Sequence, residues 1–334
     1  MNSLSIGSRK QDSALTASVF LVLMTFLAPC TVRGEGPATR LEECAGIADN
    51  VERLRCYDAV PKEREPSSKA GGTYLTEIWE LDETTRVRKF PITPYRSNYI
   101  LPLTYNRTPN DAAVQETDPG KELDHYEVAY QISFKFKLWE DVLGGKADLW
   151  AAYTQVSFWQ FYDRADSSPF RETDYEPEIL LNFRTDYRLL GLKGRFLNVG
   201  FNHQSNGRSE PLSRSWNRVV ANAGFDRGPV ALILSAWYRI PEKDVDDDNP
   251  GIEDFMGYGQ LTAYWFLGNH RLGVDLRNNL DFRDNRGAVQ LEWAFPLTRW
   301  VNGYVRYFNG YGESLLDYNA SSNRIGAGFV LKDW

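Results

Sequence analysis

Val128-Ala129-Tyr130-Gln131-Ile132-Ser133-Phe134-Lys135-Phe136-Lys137-Leu138 places an apolar side chain at every second position, with Gln131, Ser133, Lys135 and Lys137 between them. Successive side chains of a strand point to opposite faces, so this period of two predicts one apolar and one polar wall. The pattern returns in Val289, Leu291, Trp293 and Phe295 against Gln290 and Glu292. It returns again in Ile179, Leu181 and Phe183 against Asn182, Arg184 and Asp186. A water-facing sheet on a core alternates in the same way. Here, however, the polar members include many charges and the apolar members many aromatics, as in a barrel with a polar lumen and aromatic girdles against lipid. The aromatic Trp334 at the end, after a strand-like Ile325 to Leu331, points the same way.

Composition agrees by exclusion. The 334 residues carry 38 Lys and Arg against 45 Asp and Glu, a net charge of −7, which disfavours a nucleic-acid partner. A hydrophobic content of 42% disfavours a disordered chain. Mean hydropathy is −0.47. A helical span needs roughly 18 or more consecutive apolar residues, and Ala14 to Pro29 is the run that comes near.

That run follows Arg9 and Lys10 and ends in small residues, the layout of a secretory signal peptide, with cleavage after Cys30 or Gly34. Pro29 makes Leu27-Ala28-Pro29-Cys30 a poor lipidation site. The remaining Cys44 and Cys56 form an even pair in an exported chain, with no His or third Cys nearby, so a disulfide is expected rather than a metal site.

The organisation expected is a signal peptide over 1–34, an N-terminal periplasmic segment and linker over 35–89, and a barrel over 90–334. The linker is marked by Pro66-Ser67-Ser68-Lys69-Ala70-Gly71-Gly72. Twelve strand-like segments follow: 90–105, 125–139, 148–162, 175–189, 195–206, 215–226, 229–240, 255–267, 270–281, 287–299, 301–312 and 323–334. An even number brings both ends of an all-β, twelve-stranded antiparallel transmembrane β-barrel to one side.

Of three His, His203 is the informative one. The alternation Leu197, Val199, Phe201 continues into His203 and Ser205, placing both on the face turned to hydrocarbon, where polar groups are costly unless used. If the hairpin turning at Glu210 and Pro211 pairs positions whose numbers sum to 420, His203 falls opposite Asn217, which is in phase with Val219 and Ala221. A nucleophile (Ser205), a base (His203) and a residue to orient the base (Asn217) would thus meet on the outer wall, as acyl transfer requires. A His-x-Ser pair on a strand is by itself commonplace; its lipid-facing phase is what gives it weight.

Asn202-His203-Gln204-Ser205-Asn206-Gly207-Arg208-Ser209, with Pro211-Leu212-Ser213-Arg214-Ser215-Trp216-Asn217-Arg218, closely resembles the active-site hairpin of the bacterial outer membrane phospholipase A family (phospholipases A1). The resemblance extends to Tyr153-Thr154-Gln155, Trp159-Gln160, Ser167 to Thr173, Asp247-Asp248-Asn249-Pro250 and Gly310 to Leu315. It implies a calcium-dependent hydrolase of the outer membrane, active as a homodimer, that cleaves acyl esters of phospholipids and lysophospholipids. On the matching positions it makes Ser205 the nucleophile, His203 the base and Asn217 the orienting residue. Ca2+ would take backbone carbonyls of Arg208 and Ser213 from one subunit and the Ser167 hydroxyl from the other, with Asp248 as a further carboxylate. Gln155 would lie at the dimer contact. Phe158 stands where the family pattern has Trp, which implies an altered dimer packing. A passive porin is the competing expectation, though twelve strands with inward Lys, Arg, Asp and Gln imply a filled lumen.

Overall fold

Thirteen strands make one antiparallel sheet in the computed structural model, which describes residues 44–59, 73–83, 85–86 and 92–332. They are β1 Thr93–Pro94, β2 Tyr99–Asn106, β3 Tyr126–Asp141, β4 Ala147–Trp159, β5 Phe170–Leu189, β6 Leu192–Ser205, β7 Ser215–Arg227, β8 Val230–Arg239, β9 Gly259–Leu267, β10 His270–Asn278, β11 Gly287–Pro296, β12 Val301–Tyr311 and β13 Ser321–Leu331. Strands β2 to β13 pair each with the next, and β13 pairs back with β2, so the sheet closes into a twelve-stranded barrel without free edges. Short turns join the strands at one rim, as in Leu190-Gly191, where φ of +51° and +82° suits a two-residue hairpin. Longer loops crowd the other rim: 107–125, 160–169, 206–214, 240–258, 279–286 and 312–320. In outer-membrane barrels the long loops are extracellular.

The alternation from Val128 to Leu138 is realised as expected. Ile132 and Leu138 are exposed on the outer wall, while Ser133, Lys135 and Lys137 are buried in the lumen. Ile179, Leu197, Val199, Phe201, Leu291 and Trp293 are likewise exposed, against buried Asn182, Asn198, Asn202 and Glu292. Two of the expected segments differ in detail. The first, 90–105, is interrupted at Tyr95–Asn98, where the Asn98 side chain takes over the ladder: its Oδ1 accepts from Ser133 N at 2.8 Å and its Nδ2 donates to Ser133 O at 2.8 Å. Residues 252–256 form a helical turn rather than the start of a strand, so β9 begins at Gly259.

Charged pairs fill the lumen. Glu127 receives Arg171 at 2.6 Å and Arg324 at 2.6 Å; Arg171 continues to Asp317 at 2.7 Å, and Arg324 to Glu313 at 2.8 Å. Farther along, Arg96 bridges Glu176 and Glu178, and Arg218 also reaches Glu176. A polar cavity of about 300 Å³ lies among Arg96, Glu176, Arg218, Asp275, Glu292 and Arg306. At the long-loop rim Trp216, Ile252, Met256, Leu315 and Tyr318 pack together.

The lumen has a second apolar patch. The short helix Tyr74–Ile78, begun by Thr73, sets Leu75 and Trp79 against Trp150, Leu180, Phe196, Val220 and Ala231. Thr73 donates to Asp226 at 2.6 Å. These residues pack with the barrel and fall in the same compact unit, whereas the sequence boundary at 89/90 left them in the linker. A five-residue helix carries no period-two signal, so alternation could not have assigned these residues.

The N-terminal unit, taken by itself, contains the helix Asn50–Ala59, capped by Asp49 Oδ1 accepting from Val51 N and Glu52 N at 2.9 Å each. Its Cys44–Cys56 disulfide is the pairing expected. The signal-peptide reading, residues 60–72 and Trp334 fall outside the described residues.

Replacing Glu127 with Ala leaves two buried guanidinium groups without their shared carboxylate. We expect a loss of about 3–5 kcal/mol, measured as the shift in urea unfolding of the barrel in lipid vesicles; an unshifted midpoint would refute the assignment.

Candidate active site on the outer wall

Strands β6 and β7 are paired with His203 opposite Asn217 and Ser205 opposite Ser215, the register expected for a turn symmetric about Glu210. His203 and Ser205, two residues apart on β6, share the outer face with the exposed Val199 and Phe201. His203 Nδ1 and Asn217 Oδ1 are 2.9 Å apart. The Asn217 side chain is held in turn: its Nδ2 donates to Glu242 Oε1 at 3.1 Å. His203 and Asn217 are therefore joined, and Ser205 stands on the same wall, two residues along β6.

The lumen side of these two strands makes the geometry stiff. Between His203 and Ser205, Gln204 turns inward and accepts from Trp216 Nε1 at 2.9 Å. Asn202 donates to Glu176 at 2.7 Å and accepts from Arg218 Nε at 3.0 Å, and the Arg218 guanidinium lies 4.0 Å over the Trp216 ring. Every residue flanking the site is thus anchored in the ion-pair network of the lumen.

Asn206 closes the loop above. It is buried, and its side chain accepts from Arg208 N at 3.2 Å and Arg214 N at 3.0 Å while donating to Glu172 at 3.0 Å and Leu212 O at 2.8 Å. One amide thereby satisfies three of the loop's backbone groups, Arg208 N, Arg214 N and Leu212 O. Sequence reasoning missed its role, because Asn followed by Gly reads as an ordinary turn.

With this geometry in place, comparison with known proteins is decisive. A family model described as phospholipase A1 matches residues 75–331. The phospholipase A1 of Escherichia coli strain K12 is 39% identical over 244 residues, covering 73% of this chain and 82% of that protein. The chain belongs to the phospholipase A1 family. Among solved structures, the Salmonella typhi outer membrane phospholipase dimer with bound calcium superposes with a TM-score of 0.72 at 37% identity, over 78% of this chain and 99% of that one. An active-site Asn-to-Ala mutant of Escherichia coli outer membrane phospholipase A also gives 0.72, at 36% identity over the same shares. This phospholipase is accordingly a multi-pass barrel of the outer membrane and a phospholipid-hydrolysing enzyme.

The residues that the family resemblance marked for calcium are partly assembled in this phospholipase. Asp248 lies against Ser213: its Oδ2 accepts from Ser213 Oγ at 2.7 Å, and its Oδ1 accepts from Ser215 N at 2.8 Å. The Arg208 side chain is committed elsewhere, to Glu172 at 3.1 Å and to the Arg171 carbonyl, so a backbone contribution is what it has to offer. Ser167 sits exposed on the 160–169 loop with φ of +59°, and no hydrogen bond joins it to Arg208, Ser213 or Asp248 among the described residues. Nor do three or more His, Cys, Asp or Glu side chains cluster to hold a metal among the described residues.

Gln155 does face outward, and it is not alone. Tyr153 donates to its Oε1 at 3.1 Å, its Nε2 donates to Ser157 at 3.2 Å, and Thr173 donates to Ser157 at 3.0 Å. Register places Gln155 opposite Tyr175 and Tyr175 opposite Ser205, so this polar strip and the candidate nucleophile occupy one row across β4, β5 and β6. Phe158 corrects an expectation. It is wholly buried on the lumen side, between the guanidinium groups of Arg171 at 4.8 Å and Arg324 at 4.9 Å, and so cannot alter packing on the outer wall.

Asn206→Ala strands several loop groups, each costing about 1–3 kcal/mol when left buried and unpaired. Trypsin is expected to cut this variant at Arg208 or Arg214 while the barrel resists; unchanged protection would show that Asn206 does not hold the loop.

Proposed function

We propose that Ser205, His203 and Asn217 form the hydrolytic triad of a calcium-dependent phospholipase acting on phospholipids and lysophospholipids. The observation that carries this reading is the 2.9 Å contact of His203 with Asn217 on the lipid-facing wall, in register with Ser205. The active-site Asn of the Escherichia coli relative supports it.

The chemistry follows from the tautomer. Asn217 Oδ1 accepts, so His203 carries its proton on Nδ1 and keeps the Nε2 lone pair for Ser205. Ser205 Oγ bonds to the ester carbonyl carbon as its proton passes to Nε2. His203 returns that proton to the glycerol oxygen as the ester bond breaks, leaving an acyl-serine. Water then attacks the acyl carbon, His203 again takes a proton, and Ser205 recovers it as the fatty acid departs. Asn217 is neutral, so it fixes the ring without balancing the charge of the imidazolium.

The donors at hand suit calcium. The Ser213 and Arg208 carbonyls, the Ser167 hydroxyl and the Asp248 carboxylate are hard oxygens, and none is a soft ligand. Bound there, calcium would supply positive charge that polarises the groups facing the oxyanion. Ser167 stands apart from the other three, which fits a site completed by a second copy of the chain. The Gln155 strip supports the same association, since polar groups on a lipid-facing wall are costly unless covered. The relative solved as a calcium-bound dimer agrees. A passive channel finds no support, because the lumen is packed with ion pairs and with the Leu75–Trp79 turn.

Ser205→Ala is expected to lower phospholipid hydrolysis in mixed micelles with calcium by at least about 10³-fold while the barrel still folds. Sulfonyl fluoride should label Ser205; labelling of another residue would sink the assignment. Chelation of calcium is expected to abolish turnover of the wild-type enzyme and its restoration to recover it; turnover that persists in chelator refutes the calcium requirement.

A further inference from the structure

The loop after β8 bears on the triad from the far side of Asn217. Ile240 N donates to Asn217 O at 2.8 Å, which extends the β7–β8 ladder and brings Glu242 over the Asn217 side chain. Glu242 is part-buried, and its two oxygens are divided: Oε1 accepts from Asn217 Nδ2 at 3.1 Å, and Oε2 lies 3.5 Å from Arg239 Nη2. Arg239 is itself fixed by Asp247 at 2.6 Å and Asn249 at 2.8 Å.

We propose that Glu242 is a positioning residue of the hydrolytic site, setting which face of the Asn217 amide meets His203. The inference rests on the triad reading above. An amide has a donor end and an acceptor end, and nothing in Asn217 alone says which should meet the imidazole. A carboxylate only accepts. The group facing Glu242 therefore has to be the NH2, and the planar amide then presents Oδ1 to His203. That acceptor keeps the proton on Nδ1 and leaves Nε2 to receive the proton of Ser205. With the amide reversed, His203 would carry its proton on Nε2, the tautomer that cannot act as base.

Glu242 also returns, one residue removed, the negative charge that a neutral Asn lacks. Its charge is shared with Arg239, so the carboxylate is held in place rather than left free to approach the imidazole. The series Arg239, Glu242, Asn217, His203 runs along adjacent strands β8, β7 and β6 and the loop between residues 240 and 258. The sequence shows Glu242 as one acid in an acidic loop; strand pairing is what sets it apart.

The test is a pair of substitutions in two backgrounds, measured on the full-length enzyme in mixed micelles over a calcium titration that reaches saturation. Glu242→Gln can still accept from Asn217 but has lost its charge and its certainty of orientation; Glu242→Ala loses both. We expect kcat to fall about 10-fold for Glu242→Gln and up to about 100-fold for Glu242→Ala, with KM and the calcium concentration for half-activity unchanged. In an Asn217→Asp background the orienting group accepts at both ends and needs no arbiter, and Glu242 becomes a neighbouring like charge. Glu242→Gln is there expected to raise kcat rather than lower it. A merely structural residue would lower activity in both backgrounds, and a calcium ligand would shift the calcium dependence. Either result overturns the proposal, as does a Glu242→Gln enzyme within twofold of wild type. If Glu242→Ala fails to fold, the near-isosteric Gln variant decides. Ser205→Ala run in parallel separates the two readings: if it retains activity the triad fails, and if it is inactive while Glu242→Gln is unimpaired, the positioning role alone fails.

Discussion

Glu127 gripping Arg171 and Arg324 in the lumen is the contact on which the rest of this barrel depends. The outer wall is apolar because it meets hydrocarbon, so the hydrophobic side chains that would form the core of a soluble protein are spent on the outside. What holds the strands to each other across the interior is then largely charge, with apolar patches around Trp79 and Trp216. Arg171 continues to Asp317 and Arg324 to Glu313, tying β3, β5 and β13 to the 312–320 loop. A buried ion pair stabilises little against well-packed apolar groups, yet removing one partner is costly. Such a network therefore acts mainly to specify one arrangement and to block the lumen.

The site inherits that rigidity. Asn202, Gln204 and Arg218 point inward from the two strands that carry His203, Ser205 and Asn217 outward, and each is bonded to Glu176 or Trp216. Because neighbouring residues of a strand face opposite ways, the lumen network fixes the backbone from which the outer residues project. The position on the wall suits the proposed role of Ser205: a phospholipid already in the bilayer would reach it laterally, with no passage through the lumen. The lateral row Gln155, Tyr175, Ser205 links the polar strip suited to a second copy with the candidate nucleophile itself.

Much of this was legible in the residues because a strand has a period of two and a barrel gives its two faces opposite solvents. The alternation from Val128 to Leu138 showed both walls, and its continuation through Phe201 to His203 and Ser205 showed that polar groups had been set against lipid. Hairpin symmetry then reached Asn217. Features without that period stayed hidden. The Leu75–Trp79 turn is too short to show periodicity, Phe158 belongs to the inward phase although the family motif suggested an outward role, and Asn206 looks like any turn residue.

Fold class, strand number, the face on which the site lies and the pairing of His203 with Asn217 were thus determined by the sequence, since all follow from local alternation and one turn. The tertiary structure alone decided which charges meet across the lumen, that Phe158 is clasped by two arginines, and that Glu242 rather than any other acid of its loop reaches Asn217. Those contacts join residues far apart in the chain or on loops without period, and their partners are selected by barrel closure and loop path, about which local patterning carries no information.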